Sequence, residues 1–331
     1  MVTDVLVTGV QLFIVVIPLL VSIAFMTLAE RKVMGSMQRR LGPTEVGFVG
    51  LLQPVIDGVK LLLKEAVIPS LAIKPLFLLA PFITLTLSIL AWVAIPFAKG
   101  SVVADFSLAL LFLMAVSSLA VYGVLLAGWS ANSKFAFLGS LRSTAQLVSY
   151  ELPFATVILI VALLLGSLSL IQIVEAQQSI WLLVPLLPLA LIWLIVILGE
   201  TNRTPFDLPE AESELVQGFM VEHSALPFAF FFLGEYGSML LLSSLTSILF
   251  LGGYLPPFAI KFGFLPPSIV ESLTLGVKSV AIFFFFIWIR ATLPRVRFDQ
   301  LMVLCWAALL PLGFAFAIFV PSILVAFDIT P

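Results

Sequence analysis

The sequence predicts an all-α, polytopic membrane protein of eight transmembrane helices plus an amphipathic surface helix. Hydrophobic residues make up 62% of the 331 and charged residues only 10%, whereas a soluble domain is about half apolar and about a quarter charged. Mean hydropathy is +1.23. The apolar residues gather into runs of about 20, the length that crosses a hydrocarbon core. Eight such spans are expected, at about 6–29, 75–98, 104–129, 143–166, 180–199, 219–249, 273–290 and 302–326. The sixth is longer than a bilayer requires, so a tilt or a protruding inner end is expected. Pro18, Pro81, Pro153, Pro185, Pro188, Pro227 and Pro311 fall inside spans and imply kinks whose freed carbonyls need partners. No internal repeat or linker interrupts the chain, which reads as a single transmembrane domain over 1–331. Its start lacks the basic residues and cleavage site of a signal peptide, so the first run should be retained.

Orientation follows from lysine and arginine. With the 30–74 loop inside, Arg31, Lys32, Arg39, Arg40, Lys60, Lys64, Lys74, Lys134, Arg142, Arg203, Arg290, Arg295 and Arg297 all face inwards, thirteen of the sixteen basic residues. Lys99 and Lys261 lie outside, and Lys278 falls within a span. Both termini then face outwards. Residues 51–66, LLQPVIDGVKLLLKEA, carry Gln53, Asp57, Lys60 and Lys64 on one helical face. That helix is too short and too charged to span. It should lie along the inner surface, either as an anchor or as the lip of an entrance for a lipophilic substrate.

The chemistry concentrates in 200–223, ETNRTPFDLPEAESELVQGFMVEH. Six of the eighteen acidic residues fall there, Glu200, Asp207, Glu210, Glu212, Glu214 and Glu222, opposed by Arg203 and the neighbouring His223. Crowded carboxylates repel one another and favour proton uptake, and charge near hydrocarbon is usually kept for ion or proton handling. Glu151 in the fourth span and Glu235 in the sixth extend this line of acids into the bilayer; the bland alternative is a neutral carboxyl bonded to Tyr150 or Tyr236. Glu235 would lie roughly 20 Å beyond Glu222 if that helix is continuous. Proton traffic is the first functional reading.

Other groups keep two readings. The basic motifs AERKVMGSMQRRLGP and WIRATLPRVRFDQLM suit inside-positive topology and anionic lipid, although Gly35, Gly42 and Pro43 suggest a shaped loop in the first. Lys278 is either a counter-ion for a buried carboxylate or a snorkelling side chain. His223 is either a proton relay with Glu222 or a packing residue. Cys305, the lone cysteine, reads as a small apolar residue. Trp92, Trp129, Trp181 and Trp288 fall near span ends, as in an aromatic belt. One cysteine and one histidine leave no cluster for zinc, iron–sulfur or bis-histidine haem in this chain, so any redox cofactor must sit on another subunit. The net charge of −2 says nothing about nucleic acid, and no nucleic-acid partner is expected.

Four stretches, AERKVMGSMQRRLGPTEVGFVGLLQPVIDGVKLLLKE, AGWSANSKFAFLGSLRSTAQLVSYE, ETNRTPFDLPEAESELVQGFMVEH and WIRATLPRVRFDQLM, resemble the quinone-site membrane subunit of respiratory complex I, its subunit 1 or bacterial H-type subunit. The remaining spans match in hydropathy and order. The resemblance implies eight transmembrane helices with a long tilted sixth, and inner loops that dock the peripheral arm and complete a quinone chamber. By motif position it places Arg31, Arg39, Arg40 and Phe48 by a quinone channel. It places Glu200, Asp207, Glu210, Glu212, Glu214, Glu222, Glu151 and Glu235 on an acidic path towards antiporter-like subunits, with Arg203 as a pairing residue of the loop. Quinone would be the substrate, and NADH, FMN and iron–sulfur clusters would reside on partner subunits, in a mitochondrial inner or bacterial cytoplasmic membrane. The family often carries Asn-Val-Glu-Tyr where this chain reads Met220-Val221-Glu222-His223. The rival readings are the equivalent subunit of an energy-converting hydrogenase, a proton-coupled secondary transporter and a structural scaffold. No inverted repeat or pair of broken helices supports the transporter, and a scaffold leaves the inward-facing and intramembrane acids unexplained.

Overall fold

The computed structural model describes residues 2–208, 216–257 and 266–328. Among them regular structure is helical, apart from one isolated bridge between Ala98 and Ser101. The helices are α1 Val2–Met37, α2 Gln53–Leu63, α3 Lys74–Ala91, α4 Ala109–Ser130, α5 Lys134–Leu165, α6 Leu170–Ala176, α7 Leu187–Glu200, α8 Ala225–Phe250, α9 Pro267–Thr292, α10 Phe298–Val303 and α11 Leu310–Ala326. A π turn, Leu304–Leu309, joins α10 to α11. Seven stretches among the described residues are long and apolar enough to cross a membrane: Leu12–Met37, α3 with its 3₁₀ extension to Ala94, α4, α5, α8, α9 and the run Phe298–Ala326. The protein is an all-α polytopic membrane protein.

The fifth expected span, 180–199, is instead the 14-residue α7, about 21 Å long. Pro188 sits in its first turn, where a missing N–H is harmless, and Pro185 lies in the turns before it. Its side chains reach into protein: Leu189, Trp193, Val196 and Ile197 are fully buried. Trp193 stacks on Phe154 of α5 at 4.9 Å, and its indole N–H donates to Thr246 Oγ1 of α8 at 2.8 Å. The interior is thus built around α5, α7 and α8, while α1 and the final span lie at the periphery.

The sixth span also differs from expectation. The chain forms a 3₁₀ turn at Gly218–Met220 and breaks before α8, because Ser224 is extended and Ala225 has φ 58°. The 3₁₀ turn packs closely on α5. Gly218 lies against Gly139 of α5, where an added Cβ would sit 2.6 Å from the Gly218 Cα. Glu222 and Glu235 are therefore not on one continuous helix.

The surface helix appears as the 11-residue α2, with Val55, Ile56, Val59, Leu62 and Leu63 exposed. Pro18, Pro81 and Pro153 lie inside helices, whereas Pro311 begins α11. Pro153 cannot donate to the carbonyl of Ser149 four residues earlier. The Cys305 thiol donates to that oxygen instead, at 3.2 Å, and the Trp306 indole reaches Ser149 Oγ at 3.4 Å.

Candidate functional site

The turn that follows α7 carries the first acids of the 200–223 segment. Thr201 bonds back to the Ile197 carbonyl at 2.9 Å, Asn202 takes a left-handed φ of 50°, and the Arg203 N–H returns to the Leu198 carbonyl. These bonds satisfy helix-end carbonyls that would otherwise lack donors. The turn is fastened at two points by the segment that follows α9. Arg295 pairs with Asp207 at 3.1 Å, and the Val296 N–H donates to the Pro205 carbonyl at 3.0 Å. WIRATLPRVRFDQLM thus holds the loop rather than serving only as a topogenic charge. Glu210, Glu212, Glu214 and Lys261 lie outside the described residues.

Arg203 leads into a buried ion cluster. Its guanidinium faces Glu30 of α1 with both N–O separations 3.4 Å, and its Nε lies 3.3 Å from Glu235 and 2.9 Å from Met239 Sδ. It also lies over the Tyr236 ring, 4.6 Å from the centroid. Glu30 accepts further bonds from the Tyr236 hydroxyl and from Arg290. Two carboxylates and two guanidiniums balance, which is what permits charge at this depth. Burial opposes the charge on Arg203, but Glu235, Tyr236 and Glu30 outweigh it, so its pKa lies above the ordinary value. Arg203 thus pairs with carboxylates of α1 and α8, and Glu235 is ion-paired rather than a neutral carboxyl bonded to Tyr236. Sequence reasoning missed Glu30. Its signal was an acid inside the otherwise basic AERK motif.

On the other side of the turn, a cavity of about 150 Å³ opens between α3, α4, α5 and α8. Its wall is mostly apolar, interrupted by Thr84, Ser88, Ser117, Glu200, Asn202 and Glu235. Glu200 and Glu235, 35 residues apart in sequence, therefore reach the same space. One carboxylate oxygen of Glu200 is buried with no hydrogen-bond partner, as is Asn202 Oδ1. A cavity of this size has room for water beside these groups. Glu151 points to α4, where it meets the Ser118 hydroxyl, and not to Tyr150, whose hydroxyl faces the Leu301 carbonyl at 3.5 Å.

The proposed channel residues lie elsewhere, around α2. Arg31 pairs with Asp57 at 2.8 Å, and Gln53 donates to the same carboxylate at 2.9 Å. Arg39 and Arg40 are exposed, with Arg40 Nε donating to Gln38 at 2.9 Å. Phe48 is 83% exposed on a short 3₁₀ turn. The Lys32 ammonium donates to the Val49 carbonyl, and Gly50 (φ 77°) allows the loop to close on Pro43, since a Cβ there would lie 2.2 Å from the Pro43 oxygen. AERKVMGSMQRRLGP is thus a built loop, with Arg31 tied to the surface helix.

The remaining two-way readings resolve. His223 stacks on Phe77 at 4.0 Å and meets the edge of Phe231 at 5.0 Å, with neither ring nitrogen in a well-formed hydrogen bond. Burial drives its pKa down to about 4, the backbone of Ala127 offsetting only part of this. Packing, not a relay with the partly exposed Glu222, describes it. Lys278 is neither a carboxylate counter-ion nor a snorkelling side chain: its three N–H groups go to the carbonyls of Leu251, Gly253 and Leu255 at 2.6–2.8 Å, and it sits 4.8 Å from the Trp181 ring centroid. It caps the end of α8. Trp129 and Trp288 are exposed as belt residues should be, whereas Trp92 is buried against Phe97. Among the described residues no three His, Cys, Asp or Glu side chains gather as metal ligands.

A family profile described as NADH dehydrogenase matches residues 10–321. The chain belongs to this family. It is 56% identical over 321 residues to the NADH-ubiquinone oxidoreductase chain 1 of Mycosarcoma maydis, covering 97% of each chain. It is 50% identical over 322 residues to the protein of the same name from Chondrus crispus, covering 97% of this chain and 98% of that one. It is also 52% identical over 323 residues to an NADH-quinone oxidoreductase subunit of Rhodospirillum rubrum, covering 97% of this chain and 95% of that protein. The sequence resemblance is borne out at the level of the family.

Proposed function

We propose that the chain is the core membrane subunit of a proton-pumping NADH:quinone oxidoreductase, linking a quinone channel to an acidic path into the membrane arm. Near full-length similarity to subunits so named supports membership of that enzyme complex. The cavity shared by Glu200 and Glu235 supports the path most directly. There, Glu200, one of whose carboxyl oxygens has no hydrogen-bond partner, lines a space large enough for water, and Glu235 lines it too. Glu151 adjoins on α4's side, Asp207 and Glu222 continue the line towards the inner surface, and the sequence resemblance assigns Glu210, Glu212 and Glu214, outside the described residues, to the same path. Arg31, Arg39, Arg40 and Phe48, with α2, border the entrance through which quinone arrives from the bilayer.

In this reading the chain supplies no complete active site. NADH, FMN and iron–sulfur clusters reside on peripheral-arm partners, and quinone is the substrate. Charge developing on quinone during reduction biases the protonation of the 200–223 segment, and the shift passes to antiporter-like subunits. The chain lies in a mitochondrial inner or bacterial cytoplasmic membrane with both termini on the outer side.

The test is gentle purification through a tag on this chain, with mass spectrometry of co-purifying proteins and assay of NADH:quinone reduction. Flavin and iron–sulfur subunits with inhibitor-sensitive activity are expected. Recovery with a nickel–iron hydrogenase, or as a lone chain from active membranes, would contradict the proposal.

A further inference from the structure

The helix α5 carries no charge between Arg142 and Glu151, yet it presents three polar residues to the turn that follows α7. Ser143, Gln146 and Tyr150 recur at spacings of three and four, so they share one face of α5. Ser143 Oγ accepts from the Asn202 side-chain amide at 3.2 Å. The Tyr150 ring fills the space beside Gly199, where an added Cβ would lie 2.2 Å from its Cδ1. Gln146 lies between them and is fully buried. An amide nitrogen carries two hydrogens, and Gln146 Nε2 spends one on the Gly199 carbonyl at 2.9 Å and the other on the Phe206 carbonyl at 3.0 Å. It therefore joins the last turn of α7 to the far side of the loop 199–206.

Between those two held carbonyls lie the residues that divide the site. Glu200 and Asn202 line the cavity, while Arg203 turns to Glu30 and Glu235. A rotation of this turn would withdraw Glu200 from the cavity and pull Arg203 from its carboxylates. The backbone bonds of the turn run within it, back to α7 and across to Val296, and none of them ties it to α5.

We propose that Gln146 is a positioning residue: its two hydrogen bonds across the 199–206 turn hold Glu200 at the cavity and tie that turn to the helix bearing Glu151. This rests on the acid-path reading above, in which Glu200 exchanges protons. The clamp is uncharged, so it sets the geometry of the turn without adding a competing charge beside the carboxylates. Its own Oε1 is buried without a partner.

The experiment uses the assembled complex, measuring NADH:quinone reduction and coupled proton translocation across a pH series. Glu200→Gln serves as the reference, and Gln146→Leu removes both donors. Gln146→Leu is expected to lower coupled proton transfer on the order of tenfold near neutral pH, the factor that losing one to two net hydrogen bonds implies. It should also move the limb of the pH profile that Glu200→Gln abolishes. Should Gln146→Leu assemble poorly, Gln146→Met keeps the unbranched stem and carries the same test. A wild-type pH profile in the Gln146 variants would overturn the assignment, and so would a uniform loss with the limb unmoved, because that marks packing alone. If Glu200→Gln itself keeps the wild-type profile, the acid-path reading fails first, and the two failures are told apart.

Discussion

Glu235 and Glu200 border one cavity, yet their surroundings are opposite. Glu235 belongs to a cluster in which Arg203 and Arg290 face Glu30 and Tyr236 donates to it. Glu200 has an oxygen with no donor at all. A carboxylate held by guanidinium resists proton uptake, because protonation would leave a buried cation uncompensated. A carboxylate facing hydroxyls and room for water has no such restraint. In the proposed path, neighbours rather than depth in the membrane therefore decide which acid is free to exchange protons. One turn sets both environments, because it carries Glu200 to the cavity and Arg203 to the Glu30 and Glu235 carboxylates.

The strongest way to break this contrast is Arg203→Met. It strips Glu30 and Glu235 of a partner, and breaking a buried pair costs about 3–5 kcal/mol. Loss of assembled complex on native gels is expected, and full assembly would show that the cluster is not what holds the turn. Next comes Glu200→Gln, which should assemble normally because the side chain makes no ion pair among the described residues and one of its oxygens has no hydrogen-bond partner. Proton translocation should fall by on the order of tenfold or more, within the range attributed to a positioned proton-transfer group. Wild-type pumping would remove Glu200 from the path.

His223 sharpens the contrast from a third environment, a titratable ring among aromatics. Its pKa is near 6.5 in an unfolded chain and about 4 in the fold. The unfolded state thus binds more protons between these values, and stability should drop as pH falls from about 6.5 towards 4, by up to about 3 kcal/mol. His223→Phe keeps the stacking and should flatten that slope in a pH series of thermal unfolding. An unchanged slope would place the acid sensitivity elsewhere. The smallest effect expected is that of Lys278→Met, which frees three carbonyls at the opposite end of α8 from the acids. A loss of about 1–3 kcal/mol with an unaltered pH profile of activity would separate helix capping from proton handling.

The spans were legible because apolar runs of the right length leave few alternatives. Their ends were less so. Pro185 and Pro188 shorten α7, and the extended Ser224 with Ala225 interrupts what hydropathy reads as one long sixth helix. The acids of 200–223 stood out as a set, but their partners did not. Glu30 meets Arg203 across 173 residues and Arg290 across 260, and neither distance leaves a local pattern. Gln146 was invisible for another reason: an uncharged side chain in an apolar helix shows its role only when the carbonyls it bridges are placed.

The most direct test of the contrast between the two carboxylates is redox-induced infrared difference spectroscopy of the assembled complex, comparing wild type with Glu200→Gln and Glu235→Gln. A carboxyl band that appears on turnover, vanishes in Glu200→Gln and persists in Glu235→Gln is the predicted result. A band that survives in Glu200→Gln and is lost in Glu235→Gln would contradict the account and make the ion-paired acid the one that exchanges protons.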